Sequence, residues 1–357
     1  MKLIDRYIIT RYLSTFVVML FLFIPIGIMV DVAEKIDKFK EKEVPFDELV
    51  AYYIDFTWYF ANLLFPIFLF LAVIWFTSKL ASNTEVIAIL SSGVSFTRFL
   101  KPYIIAAGLI AVVAFFAGMY VVPKSNEGFN MFQFKYISKK KERNTQELYK
   151  QINDKEYIYV SSYDPVRQRA SNFTLEHFED NVLTFKIMAN SLRWIESDSV
   201  FRMSQYVKRT VRGDQDFLEK FSRKDTLFDF KIEDLAPESY KAETLNLSEL
   251  NQFIDKERQS GSQLINSHLL VRHKRWSLPM SAFVLTIIAV AMSSFKRRGG
   301  MGVNLAIGIS LGFLFIFFDK IFSVMVVKSN FNPAMAAWLP LFIFGVLAFY
   351  LLNYAKR

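Results

Sequence analysis

The chain has 357 residues, 53% of them hydrophobic, with 38 Phe, a formal net charge of +9 and no cysteine. With its positive mean hydropathy, this composition departs from that of ordinary soluble domains and makes membrane segments the first thing to test. The absence of cysteine excludes disulfides and thiolate metal sites, and suits a chain that exposes a domain to an oxidising compartment without depending on it.

Six charge-free runs organise the chain: Tyr12 to Val30, Phe56 to Ser78, Pro102 to Pro123, Trp276 to Phe295, Gly299 to Phe318 and Ser329 to Ala355. At about 1.5 Å per residue each is long enough to cross a hydrocarbon core of roughly 30 Å. Six transmembrane helices are therefore expected. The first run, preceded by Lys2, Arg6 and Arg11, resembles a signal peptide at first sight. It is long for one, and Asp31-Val32-Ala33-Glu34 follows where a small-residue cleavage site would stand, so it is expected to persist as helix 1.

Lys and Arg in the short loops set the orientation. Lys2, Arg6, Arg11, Lys79, Arg98, Lys101, Lys296, Arg297, Arg298, Lys356 and Arg357 share their four places with only two acids, Asp5 and Glu85. Asp31 to Asp55, by contrast, holds four Lys against eight acids. The positive-inside rule then makes both termini cytoplasmic, an alternation that agrees with an even helix count. The net positive charge needs no nucleic-acid partner, because it sits on a membrane rim beside anionic lipid.

Residues 1–123 thus read as helices 1 to 3, with a short cytoplasmic segment at 83–95. Residues 124–275 read as a polar domain on the non-cytoplasmic side, and 276–357 as helices 4 to 6. The polar domain carries 26 basic and 23 acidic residues, and its centre reads as strands. These begin at Glu156 (EYIYVSS), Ser171 (SNFTLEHF), Val182 (VLTFKIMANSLRWI), Ser199 (SVFRMSQYVKRTV) and Asp225 (DTLFDFKI). Turn signals separate them at Asp164-Pro165, Glu179-Asp180-Asn181 and Arg212-Gly213-Asp214. Short strands without intervening helical patterns predict a sandwich, jelly roll or open barrel. Lys139 to Arg143 is a basic run of the kind that usually forms a solvated face. From Leu247 to Leu270 the pattern turns helical, with Ser248 as candidate N-cap.

Catalytic chemistry has no foothold. No GxxxxGK[ST] loop occurs, so the chain is not expected to hydrolyse nucleotide itself. His177, His268 and His273 lack HExxH or cysteine partners, and no metal site is expected. Charges bordering apolar runs are the informative ones. Asp319-Lys320 either snorkels at the outer boundary or offers a polar contact to a passing amphiphile. Asp31, Glu34, Lys35, Asp37 and Lys38 follow helix 1 directly. Their i,i+4 pairs, Asp31/Lys35 and Glu34/Lys38, either extend a solvated helix or present a lysine to an anionic head group. Gly308 and Gly312 form a GxxxG spacing in helix 5, a candidate for close packing or gating.

The segment NTEVIAILSSGVS, Asn83 to Ser95, is too polar to cross and too apolar for an ordinary loop. At helical spacing Val86, Ile89 and Leu90 form an apolar strip, Glu85 and Ser92 lie outside it, and Gly93 offers a stop. It reads either as an interfacial helix resting on lipid or as the surface on which an external motor pushes.

LIDRYIITRYLSTF, TEVIAILSSGVS, ANSLRWIESDSVFRM, NLSELNQFI and RWSLPMSAFVL, in this order and around a three-helix, β-domain, three-helix layout, resemble the lipopolysaccharide-export permeases (LptF/LptG, also YjgP/YjgQ) over essentially the whole chain. The resemblance implies a non-catalytic transmembrane subunit of an ABC transporter in the bacterial inner membrane, with a periplasmic jellyroll domain. It also implies a cytoplasmic ATPase dimer that uses ATP and Mg, no cofactor in this chain, a second permease subunit, and periplasmic jellyroll bridge proteins. Glu85, Val86, Ile89, Leu90, Ser92 and Gly93 would form the ATPase-coupling helix, with Leu90 standing where the family usually carries a basic or polar residue. Asp31, Lys35, Lys38, Asp319 and Lys320 would face the lipid path between helices 1 and 5. Asp31 occupies the place where one branch has a lysine, and Lys35 follows one turn later. Two other readings share the features: a permease for another amphiphile such as a lipoprotein, and a membrane-anchored periplasmic interaction protein.

Overall fold

The computed structural model describes residues 3–137, 146–164, 167–196, 198–213, 215–228, 230, 240–262, 264–295 and 300–355. The basic positions Lys2, Lys296, Arg297, Arg298, Lys356 and Arg357, the run Lys139 to Arg143, Gly299 at the start of the fifth charge-free run, and Pro165 and Asp214 of two expected turns lie outside the described residues. The chain clusters into two units, one helical (1–139, 243–250 and 266–357) and one built on a sheet (140–242 and 251–265).

In the helical unit, six helices are long and apolar enough to span a membrane. They are α1 (Leu3–Glu41), α2 (Phe46–Ser82), a continuous segment made of α4 (Phe96–Phe116) and α5 (Val122–Phe132), α8 (Ile265–Ser293), α9 (Gly300–Ser329) and α10 (Pro333–Ala355). The short α3 (Glu85–Ser91) lies between the second and third. Two π-helical turns, Ala117–Val121 and Gln133–Ile137, interrupt and end the α4–α5 segment. Several helices overrun their apolar runs: α1 continues to Glu41, and α2 begins ten residues before Phe56. At about 1.5 Å per residue, the 39 residues of α1 exceed what a bilayer core requires. Charge marks where a span leaves lipid, and helix-favouring Glu and Lys carry the helix onward.

The most buried spans are α2 and α8, and the least buried are α1 and α9. Every residue of α2 from Phe65 to Ile74 is buried. Around it lie Ile8 and Tyr12 of α1, Phe99 and Tyr103 of α4, and Leu285 and Ile288 of α8. Several buried hydroxyls in this core, and the Asn304 Nδ2, find partners. Tyr12 and Thr286 hydroxyls share a 2.8 Å hydrogen bond, Thr77 donates to Tyr103 at 3.2 Å, and Asn304 donates to Ser78 at 3.1 Å. Such pairs tie helices together without leaving polar groups stranded in lipid.

The other unit is a six-stranded antiparallel sheet with strands in chain order: β1 (Gln146–Asn153), β2 (Glu156–Asp164), β3 (Arg169–Glu179), β4 (Val182–Ile195), β5 (Val200–Arg212) and β6 (Gln215–Thr226). Alternation buries one face, with Ile158, Val160, Phe173, Leu175, Ala189, Phe201 and Met203 at its centre. The β3–β4 hairpin closes on Asp180-Asn181, both at positive φ (47° and 63°), the geometry whose twist matches the flanking strands.

Two strand assignments change. Of the final strand expected at Asp225 (DTLFDFKI), Asp225 and Thr226 end β6, Leu227 and Phe228 lie in no strand, and Asp229, Lys231 and Ile232 lie outside the described residues; β1 precedes the first expected strand. β6 is charged and exposed along nearly its whole length, so no alternation announces it. It forms by backbone pairing with β5, supported by Arg209–Asp216 and Arg202–Asp225 ion pairs at 2.7 and 2.8 Å. After the one-turn α6 (Lys241–Thr244), the helix α7 (Leu247–Gln259) is capped by Asn246, not Ser248. The Asn246 side chain accepts from Glu249 N at 3.0 Å, while the Glu249 carboxylate accepts from Asn246 N at 2.9 Å, a reciprocal capping box.

Candidate functional site

At the C-terminal end of α2, Asn83 ends the helix, Thr84 adopts a left-handed conformation (φ 63°), and α3 begins. The amphipathic strip folds as its spacing demands. Val86 is fully buried, and Ile89 and Leu90 pack against the same core. Val86 therefore seats the helix, while Ile89 and Leu90 pack against the core and keep part of their surface accessible. The outward face comprises Ile87, Ala88, Ser91 and Ser92, of which Ile87, half exposed, is absent from the expected set. Gly93, at φ 86°, ends the turn where only glycine is unstrained. Glu85 is half-buried and accepts from Asn83 Nδ2 at 3.1 Å and Tyr7 Oη at 3.4 Å. Beside it, Arg98 of α4 grips Asp5 of α1 through two hydrogen bonds of 2.7 and 2.8 Å.

Along α1, Asp31 and Lys35 form the expected i,i+4 ion pair, yet it is not solvated: both side chains are about nine-tenths buried. Lys35 Nζ also donates to Tyr52 Oη at 2.8 Å, and the Asp31 carboxylate accepts from Tyr52 (3.0 Å) and Tyr53 (3.3 Å) of α2. Gln133 of the second π-turn donates to Tyr52 at 3.1 Å. This network turns Asp31 and Lys35 into the bundle, so neither faces a lipid surface as expected. Lys38 is exposed, and no ion pair joins it to Glu34. Tyr52, Tyr53 and Gln133 are not legible as site residues, because a hydroxyl amid an acidic stretch, or a lone amide among aromatic residues, carries no pattern.

A cavity of about 320 Å³ lies among α2, the α4–α5 segment, α8, α9 and α10, with Asn62, Gly118, Asn126, Lys274, Asp319 and Lys320 in its wall. Pro66, also in the wall, is 16 residues from the end of α2 at Ser82, about 24 Å of helix from α3. Asp319 does not snorkel: it accepts from Lys274 Nζ at 2.7 Å, and Lys274 also donates to Ser323 Oγ at 2.7 Å. Lys274, in the basic run before Trp276, carries no sequence pattern that marks it for this role. Gly308 and Gly312 face α2, where a Cβ on Gly308 would collide with Ile74 and one on Gly312 would stand 3.4 Å from Ile67. The GxxxG spacing thus serves close packing inside the chain.

The outer surfaces of α1 and α9 stay uncovered. Val18, Phe21 and Met29 on one, and Phe313, Phe317 and Val327 on the other, are all more than half exposed. Both helices pack on α2.

The sequence profile of the family described as lipopolysaccharide export system permease LptF/LptG matches residues 6–354, nearly the whole chain. No curated protein matches it significantly.

Proposed function

The chain belongs to the lipopolysaccharide export permease family, a family of multi-pass inner-membrane permeases, and on that premise we propose that it is the membrane-spanning subunit of an ABC exporter that lifts lipopolysaccharide from the inner membrane. The observation that carries the reading is α3: a short helix rooted by Val86 and presenting Ile87, Ala88 and Ser91 outward, in a chain without a phosphate-binding loop. A separate cytoplasmic ATPase dimer, using ATP and Mg, supplies the motor, and α3 with Glu85 is its handle. Both termini and α3 then lie in the cytoplasm and the β-unit in the periplasm, an orientation that the loop charges support.

Two such permease subunits pair. The uncovered apolar faces of α1 and α9 support a lateral lipid gate between opposing subunits, with exposed Lys38 at its head-group end. Asp31 and Lys35 act as a latch holding α1 to α2. Each acyl CH₂ taken from the bilayer costs about 0.8 kcal/mol, so a multi-chain lipid needs both a driven push and an apolar shelter. The buried face of the β-unit and further periplasmic jellyroll proteins form that shelter toward the outer membrane.

Because the chain lacks cysteine, a single Cys introduced at Ile87 is a unique label. Crosslinking in membranes should join it to an ATPase subunit, and lipid retained by the purified complex should be lipopolysaccharide. Export that proceeds normally without an Ile87-linked ATPase sinks the coupling assignment. A bound lipoprotein in place of glycolipid sinks the cargo.

A further inference from the structure

The seam between α9 and α2 repeats every four residues. Asn304 donates to Ser78 Oγ at 3.1 Å, a side chain on Gly308 would meet Ile74, and one on Gly312 would meet Ile67 and Phe70. Positions 304, 308 and 312 of one helix thus follow 78, 74 and 70 of the other, an antiparallel pairing along one i±4 ridge.

Glycines alone leave this register open. If α9 slid by one turn, about 5.4 Å, toward its own N-terminus, Gly312 would receive Ile74 as Gly308 does. Apolar helices gain nothing from water exclusion in lipid, so packing alone opposes such a slide. Asn304 breaks the tie. The slide would carry its amide past Ser78 and bring Gly308, which has no side chain to offer, to that hydroxyl.

The amide stands there against the demands of stability. Asn304 is 4% exposed and Ser78 2%, and the hydroxyl answers only one half of the amide, leaving Asn304 Oδ1 buried without a donor. Turning the amide over would only exchange which half is unmatched. A buried acceptor left unmatched is costly, and an apolar side chain of the same shape would avoid it. A polar group kept under those terms is the device by which packed helices specify register, as a single Asn does in coiled coils.

Position gives the register a use. Ser78 lies four residues before the end of α2 at Ser82, and only Asn83 and Thr84 separate that end from α3. Farther along α9, Phe313 and Phe317 are exposed on the apolar face that forms one wall of the lateral gate. We propose that Asn304 is a positioning residue: it fixes α9 in one register on α2, so that a push on α3 moves α9 together with α2. The transmission rests on α3 as the ATPase handle and α9 as a gate wall, whereas the register does not.

The test uses the chain's freedom from cysteine. Spin labels at Lys79→Cys and Phe313→Cys, both exposed positions, report the register as a distance by pulsed electron paramagnetic resonance, in the full chain alone and in the assembled exporter with and without ATP. The parent should give one narrow distance throughout. Asn304→Leu should add a second distance and lower export about ten-fold at unchanged melting temperature and unchanged ATP hydrolysis. Asn304→Ser with Ser78→Asn, which rebuilds the bond from the other side, should restore both the single distance and export. A single unchanged distance with Asn304→Leu, or a swap that leaves the distance split, overturns the register. Normal export by Asn304→Leu beside a split distance overturns the transmission. The chain alone yields the distances without an ATPase, so a missing Ile87 crosslink sinks the ATPase assignment and leaves the register to its own measurement.

Discussion

Asp5 and Arg98, 93 residues apart in sequence, meet in a fork of two parallel hydrogen bonds that joins the start of α1 to the start of α4 beside α3. Bidentate geometry makes such a pair more than a chance surface contact. Arg98→Ala should lower the melting temperature and loosen α3. Exchanging the two charges, Asp5→Arg with Arg98→Asp, should recover part of the loss, while Arg98→Lys, which cannot form the fork, should recover less. Thermal unfolding in detergent reads all of them, and equal melting temperatures across the set would remove the clamp.

The Asp31 network makes a sharper demand. Taking away the carboxylate with Asp31→Ala leaves a buried lysine without its counter-charge, a change that costs about 3–5 kcal/mol in comparable pairs. Replacing both partners, Asp31→Leu with Lys35→Met, should cost clearly less than the single change. A double-mutant cycle by chemical denaturation measures the difference. Tyr52→Phe, which removes the hydroxyl shared by Lys35, Asp31 and Gln133, should cost about 1–3 kcal/mol.

Around α3 the inward and outward residues should separate cleanly. Val86→Asp puts a charge into a fully buried site and should unseat the helix and destabilise the chain. Glu85→Lys should leave folding and insertion intact while abolishing ATP-driven export. Protease resistance of the inserted chain and export in cells are the two readouts, and normal export with Glu85→Lys would dismiss Glu85 as a contact.

Gly308 and Gly312 should behave differently although they share one motif. Gly308→Ala drives its methyl into Ile74, whereas Gly312→Ala meets Ile67 at the edge of ordinary contact. The first should destabilise the α9–α2 packing and be relieved by Ile74→Val. The second should be close to neutral, as thermal melts would report.

In the β-unit, the Asp225 carboxyl is held below the usual carboxylate range chiefly by its hydrogen bond from Arg202. A depressed folded pKa means that the contribution is full above the unfolded value near 3.9 and fades as pH falls through the lower folded value. Hydrogen exchange of β5–β6 should therefore accelerate on acidification below about pH 4. In Arg202→Ala that acid-dependent component should shrink.

Several of these features were legible beforehand and several were not. The inward strip of α3 followed from the spacing of Val86, Ile89 and Leu90, and the Asp180-Asn181 turn from residues that tolerate positive φ. Strand β6 was hidden because an exposed edge strand needs no alternation; its partner supplies the order. Ser248 is the second residue of the helix, and only the reciprocal bond with Glu249 identifies Asn246 as its cap.

Sequence by itself determined the six spans and the inserted sheet. Uncharged runs of membrane length can satisfy their backbone only as helices, and the polar stretch between them alternates at the strand period. Tertiary structure alone decided where the bordering charges point. A carboxylate next to an apolar run is equally compatible with water, lipid or a partner, and Asp31 and Asp319 turned inward because Lys35 and the Tyr52 hydroxyl, or Lys274, stood on neighbouring helices to receive them.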